Sequence, residues 1–540
     1  MQNMESSYQT ISKMPMSTIA NIISTSKSSF HSSTSSSSLS SSSTSPNNNS
    51  TNNSNNHHHS HSNSSHHTQN THTHHHQTRQ SSSTSTHIAH SRSSGASLSI
   101  NLSQKGLTAE QLIHLSGNFP LQSNIATLKL GFNDFKDEGA KVISSLLQKN
   151  RSITCLDIGF CNIGDAGIEA IANALIHNQT LKILYLSGNL ATSEGFKSLG
   201  HALSLNKTLQ ALYLTGNAGK ADGMKQLVKG LKFNHSLIKL FLNGNKMECD
   251  GASSISDILL TNHTLKSLNL SDNNIDDTGL ISLSEAMANH RDLQELELSF
   301  NKITPVGMGP FIDSLIGYHS LQRLLLDNNK IQDNGAKSLA LALPHMRLME
   351  LNVGFNDIGI EGLLSIIGSI TNSKTITILV LSGNNIDNTV AKALANFLMI
   401  NSSLQSIHVD RTNLTSIGER FIATGIASNR NSSLKTLTGF ELGKVLHLLG
   451  SPSIVCDMSN DQSLKYLNQM WKNVEKSKSQ SHSGSSSPTS AGMNHQPALQ
   501  LQRPTASPSS PIEETIRMVE GVKDQPLLPI YKEQLPADKA

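Results

Sequence analysis

From residue 125 onward the apolar positions form a unit that recurs along the chain. LKSLNLSDNNIDDTGLISLSEAMANHRD begins at Leu265, LQELELSFNKITPVGMGPFIDSLIGYHS at Leu293, and LQRLLLDNNKIQDNGAKSLALALPHMR at Leu321. Equivalent starts fall at Ile125, Ile153, Leu181, Leu209, Leu237, Leu348, Ile376 and Leu404; nine of the ten spacings are 28 residues and the one from Leu321 to Leu348 is 27. The opening LxxLxL alternates with period two, which predicts a strand with one buried and one free face. The second half repeats apolar residues at three and four, as in Ile168, Ile171, Ala172 and Leu175, which predicts a helix with one buried stripe. A single unit cannot hide its apolar side. Stacked units can, with parallel strands on one side and helices on the other.

Two polar or small positions punctuate each unit. The eighth residue after the start is Asn133, Asn189, Asn217, Asn245, Asn273, Asn301, Asn329, Asn356 or Asn384, with Cys161 and Thr412 as the exceptions. A buried amide there satisfies backbone groups where the chain turns inward. Cys161 is expected as a small buried residue, not a reactive or metal-binding one. Fourteen residues after the start stands Gly, for example Gly139, Gly167, Gly251 and Gly362, where close packing or a special backbone conformation is expected. Val390 replaces it in the tenth unit, so the helix start there should differ. Ala191 and Gly219 stand two after the Asn where other units carry Phe, Ile or Met, and those two turns are expected to be looser. Phe132, Phe160, Phe300 and Phe355 sit beside the Asn and are expected to be part-buried between turns.

The step of 28, LxxLxLxxN and the following Gly resemble ribonuclease-inhibitor-type leucine-rich repeats over about residues 97 to 440. The resemblance implies an α/β solenoid, a horseshoe with strands on the concave side and helices on the convex side. The class includes the ribonuclease inhibitor, the Ran GTPase activator, tropomodulin-like and CARMIL-like actin regulators, and the sensor part of NOD-like receptors, so the scaffold alone does not set the activity. The expected organisation is a Ser/Asn/His-rich segment 1–95, a degenerate first repeat 96–124, eleven repeats over 125–433, a helical cap over 434–476, and a Ser/Pro-rich tail 477–540 with a short helix near 511–521. The segments 1–95 and 477–509 carry too few apolar residues to build a core.

The free strand positions are the candidate partner-binding residues. Ile183, Tyr185, Tyr213, Lys239 and Phe241 bring three aromatics to one column, although aromatics make up only 4% of the chain. Large rings anchor protein interfaces, while strand propensity supplies the bland explanation. Farther along, Glu295, Glu297, Arg323, Asp327 and Glu350 form an acidic patch suited to a basic partner, or simply a solvated face.

Composition narrows the rest. The net charge of +3, from 42 basic and 39 acidic residues, argues against a nucleic-acid partner. Four scattered cysteines fit a reducing compartment, hence the cytoplasm. No apolar run is long enough to span a membrane. A Ser-rich start with one acid, Glu5, leaves a transit peptide as the alternative to a cytoplasmic chain. The histidine runs His57–His59 and His74–His76 fit compositional drift better than a metal site. Asn178, Asn206, Asn234 and Asn262 each start a glycosylation sequon, but they recur at one repeat position, so helix-end chemistry explains them better. The motifs GxxxxGK[ST], HExxH, GxSxG and CxxC are missing, and no cofactor or catalytic residue is expected. The early turns GFNDFKDE, GFCNIGDA, SGNLATSE and TGNAGKAD lack the Arg that resemblance to a Ran activator would require. A protein-binding adaptor is therefore the first reading, with a small-GTPase regulator or an actin-linked regulator as alternatives.

Overall fold

The computed structural model of the chain describes residues 97–118 and 125–482, with side chains given up to 476 in the last helix. The expectations for 1–95, 483–509 and the helix near 511–521 lie outside the described residues. Thirteen strands, from β1 (Leu98–Asn101) to β13 (Thr436–Thr438), form one sheet in strict sequence order. Every described pair is parallel and joined by a helix. Strands sit about 4.8 Å apart and helices about 10 Å across, so stacking curves the solenoid with the strands inside.

The strands are short, mostly three residues, and their central leucines face the core. Leu184, Leu212, Leu240, Leu268, Leu296 and Leu324 are all essentially inaccessible. Helix leucines and isoleucines of each unit close the layer from the other side.

Two ladders of buried amides hold the units in register. On the edge where strands end, Asn273 is fully buried. Its Nδ2 donates to Leu242 O at 3.0 Å in the preceding repeat and to Leu270 O at 3.1 Å in its own, while its Oδ1 accepts from the Asn245 amide at 2.9 Å. Asn133, Asn189, Asn301, Asn329, Asn356 and Asn384 bond in the same way. Cys161 fits this column as a buried residue, its thiol 3.2 Å from Gly159 O and pushed up to about 12 by burial. On the opposite edge the sequon asparagines make a second ladder. Asn206 Nδ2 donates to Leu175 O and Asn178 O, and its Oδ1 accepts from Thr208 and Leu209 amides. Asn178, Asn206, Asn234 and Asn262 are buried, which leaves no nitrogen open to a glycan. His290 and Tyr318 occupy the same column in the next two repeats. His290 Nε2 lies 3.2 Å from Asn262 O, its Nδ1 3.0 Å from the Tyr318 hydroxyl, and that hydroxyl accepts from the Leu293 amide.

The fourteenth-position glycines are there for close packing. A Cβ on Gly167 would stand 2.5 Å from Ile163 Cγ2 and 2.7 Å from Asp137 Oδ1. Asp137 reaches across from the preceding repeat to accept from the Gly164 and Gly167 amides. In the tenth unit Val390 is buried at this place, and the helix is capped by its own Asp387, which accepts from Thr389 and Val390.

One expectation needs correction. The turns at Ala191 and Gly219 are not loose: Ala191 is fully buried, and at Gly219 the ring of Phe196 from the preceding repeat fills the space, where a Cβ would lie 2.7 Å from it. The cost of that turn appears elsewhere, since the buried Asn245 Oδ1 next to it has no hydrogen-bond partner. The four phenylalanines beside the Asn keep 38 to 57% of their surface exposed and pack between turns: Phe132 stacks on Phe160 at 4.6 Å, and the rings of Phe160 and Phe355 lie against Gly188 and Gly383. Their backbone is left-handed, with φ between 54° and 60°. That column is left-handed in all eleven repeats, with Gly188, Gly216, Gly244 and Gly383 in the same place. Left-handed backbone turns the side chain out of the core, and for a bulky residue it costs of order 1–3 kcal/mol.

At the far end Leu464, Leu467 and Trp471 cover the last repeat. The indole Nε1 donates to Ala427 O at 3.1 Å and Arg430 lies over the ring at 4.8 Å.

Replacing Asn273 by Leu leaves backbone groups of two repeats unpaired, and should lower the unfolding free energy by about 1–3 kcal/mol in a denaturant titration. An unchanged midpoint would mean the ladder contributes nothing there. The helices Ser193–Leu205 and Lys220–Leu231 touch through glycine: a Cβ on Gly230 would fall 1.6 Å from Gly200 O, whereas one on exposed Gly368 meets nothing within 4 Å. Gly230→Ala should therefore destabilise by about 1–3 kcal/mol, and Gly368→Ala should stabilise by about 0.5–1 kcal/mol. The same thermal melts check both signs.

Candidate functional site on the strand face

Strand register decides which outward side chains become neighbours. Asp157, Tyr185, Tyr213, Phe241, Asn269, Glu297 and Leu325 occupy one row across successive strands. Cys155, Ile183, Ala211, Lys239, Ser267, Glu295 and Arg323 form the row beside it. The flanking leucines of each strand point inward, so these rows stand on the face away from the core.

The three aromatics stack into one column. Ring centroids of Tyr185 and Tyr213 are 4.2 Å apart, those of Tyr213 and Phe241 4.4 Å, with interplanar angles of 18° and 16°. Each ring is half-buried by its neighbours. Burial pushes both phenols above the ordinary tyrosine range. Ile183 extends the apolar surface along the second row, where Ala211 is buried beneath its neighbours.

The acidic residues also come together, but not as free charges. Arg323 Nε donates to Glu350 Oε2 at 2.6 Å and its other nitrogen lies 3.7 Å from Glu295. Ser267 Oγ donates to Glu295 at 2.6 Å, and Asn269 Nδ2 to Glu297 at 2.7 Å. Asp327 accepts from Ser299 at 2.5 Å and from Asn352 at 2.7 Å. Burial raises the Glu297 carboxyl above its usual range, against the pull of Arg323. Lys239, 3.9 Å from Glu295, links this network to the aromatic column, so the two patches form one continuous surface. The polar partners Ser267, Asn269 and Asn352 were visible in the same strand positions, but their hydrogen bonds needed the register.

Among the described residues one cluster elsewhere has the composition of a metal site: His263, His290 and Asp292. The arrangement does not suit an ion. Both ring nitrogens of buried His290 are taken up in the second ladder. Asp292 is held by the Lys266 ammonium at 2.8 Å and by His263 at 3.0 Å.

The Leucine Rich repeat family matches residues 122–144, 149–172, 261–284, 289–311, 319–340, 346–366 and 372–395. With the repeating sequence and the thirteen-stranded parallel sheet, these matches make the chain a leucine-rich-repeat protein. Among solved structures it is similar to an internalin from Listeria monocytogenes, at 21% identity over 59% of this chain and 81% of that one, with a TM-score of 0.35. It is also similar to actin-binding site 2 of leiomodin-1, at 23% identity over 24% of this chain and 76% of that one, with a TM-score of 0.22. Both likenesses are too distant to say what this chain binds. No curated protein matches it.

Burial holds the His290 imidazole below its ordinary value of 6.5. The unfolded chain then takes up a proton, as pH falls below about 6.5, that the folded chain refuses, so this group costs stability toward acid. His290→Asn restores the residue found in the preceding repeats and should flatten the fall in denaturant midpoint between about pH 6.5 and 5. Identical pH profiles for variant and parent would show that His290 does not titrate on unfolding.

Proposed function

We propose that the chain is a non-catalytic protein-interaction scaffold of the ribonuclease-inhibitor type, acting in the cytoplasm, with its strand face as the binding surface. The observation that carries this reading is the column Tyr185–Tyr213–Phe241. Three rings stacked on consecutive strands and left partly exposed offer apolar contact without the entropy cost of ordering long side chains. Strand propensity accounts for one such residue, but a column of three flanked by Ile183 is an apolar patch. The four cysteines are free, in keeping with a reducing compartment. The ionisable side chains of the strand face bond to one another, which supports recognition in place of chemistry. Lys239 and the carboxylates Glu295, Glu297 and Glu350 then act as the polar rim, favouring a partner that brings an apolar segment followed by a basic one.

Affinity capture with the full chain, read by mass spectrometry, identifies the partner. Tyr213→Ala should weaken its binding by about 2 kcal/mol, near thirtyfold, while removing two stacking contacts lowers stability by about 1 kcal/mol. Equal affinity of variant and parent would move the contact to Glu295, Glu297 and Glu350.

A further inference from the structure

All the repeat helices run in the same direction, so the turns that lead from each helix back to the next strand lie together on one edge of the solenoid. These return turns carry a cation in nearly every repeat: Arg151, Lys182, Lys207, Lys266, Arg347 and Lys374 among them. Histidines stand in the same turns at His235, His263, His319 and His345. Among the described return turns Asp292 is the one carboxylate, and it is tied to Lys266 and His263. Lys182, Lys207 and Lys374 are exposed and make no ion pair among the described residues. The opposite edge holds carboxylates in the first turn of most helices, such as Asp165, Glu194, Asp222 and Glu361. The net charge of +3 averages two edges of opposite character.

Aligned helix dipoles explain part of this, because cations are favoured near helix C-termini and acids near N-termini. They do not explain the apolar residues on the basic edge. Leu205, Phe233 and Leu260 sit at helix ends in the same turns as Lys207, Lys232 and Lys266, Ile316 borders a hollow with Arg347, and all four are exposed, Phe233 by 70%. The groove between these turns, about 610 Å³ and open, is bordered by Lys182, Lys207, His235 and Lys266. Lysines and arginines interleaved with protruding Phe, Leu and Ile make the composition of an interfacial surface: charges meet anionic headgroups and apolar tips enter the acyl boundary. A nucleic acid would use the cations and the imidazoles of His235 and His263 but leave the aliphatic tips without a partner.

We propose that the helix-end edge is a peripheral docking surface for an anionic lipid bilayer. It uses residues distinct from the strand-face column and stands or falls independently of it. Docked in this way, the edge rests on the headgroups and the strand face stands upright from the membrane, open to a partner.

The test is co-sedimentation of the full chain with phosphatidylcholine–phosphatidylserine vesicles and with phosphatidylcholine vesicles alone. The parent should pellet with the anionic vesicles only, and lose them as salt rises. The triple variant Lys182→Ala, Lys207→Ala, Lys374→Ala should bind about 100-fold more weakly, roughly fivefold per cation. Phe233→Ser should bind about tenfold more weakly through loss of the buried ring. Both changes are on exposed side chains, and unchanged denaturant midpoints confirm that folding is intact. Tyr213→Ala should pellet like the parent. Several results would overturn the proposal: no pelleting of the parent, equal pelleting with both vesicles, full binding by the triple variant, or loss of binding by Tyr213→Ala. Salt-sensitive binding that ignores Phe233→Ser would overturn it too, because it would mark a general polyanion surface in place of a membrane edge.

Discussion

A three-residue strand has too few hydrogen bonds to hold itself, and a single repeat leaves its turns with unpaired backbone groups. The buried asparagine amide meets both needs by bonding simultaneously to its own repeat and to the one before it. Because the donor and acceptor ends of one side chain bridge two units, neither unit is complete without the other, and stability is shared between neighbours. The second ladder of asparagines does the same at the other edge. With both edges pinned, consecutive repeats cannot slip, and every column of side chains described above follows from that constraint.

Pinned register also has electrical consequences. Helices that all point one way lie side by side with their dipoles directed across the solenoid from edge to edge, so each edge carries a preferred sign of charge. The strand face between the edges is electrically mixed, with Lys239 and Arg323 threaded through the carboxylates. The bridging Lys239 is a product of register: its neighbour two strands away is 56 residues on in sequence.

Much of the fold was legible because periodicity is a direct record of burial. The starts, the inward leucines, the asparagine column and the glycine column could be read from the 28-residue step alone. What escaped depended on backbone angle or on a neighbour from another repeat. Phe132, Phe160, Phe300 and Phe355 read as packing residues by type, but the left-handed backbone that turns them outward does not show in their type. The signal was present in the glycines at the same place, whose freedom at positive φ is why they occur there. Gly219 looks like a gap until Phe196 is seen filling it. The aromatic column and the carboxylates were legible as residues, but their fusion into one surface through Lys239 was not. The charged edge was hidden by averaging, since a single net charge records neither side.

The repeat from Leu321 to Leu348 is one residue short, yet Arg323 pairs with Glu350 in normal register. The missing residue is absorbed in the return turn, where a 3₁₀ segment, Leu343–His345, tightens the path from helix to strand. Length can therefore change on the helix side while the strand side keeps its spacing. Distances across the strand face are quantised: two columns lie a whole number of strand spacings apart, each about 4.8 Å. Gain or loss of a complete repeat would move the aromatic column relative to the carboxylates by one such step and leave each patch internally untouched. The solenoid thus behaves as a ruler whose marks can be added or removed but not blurred.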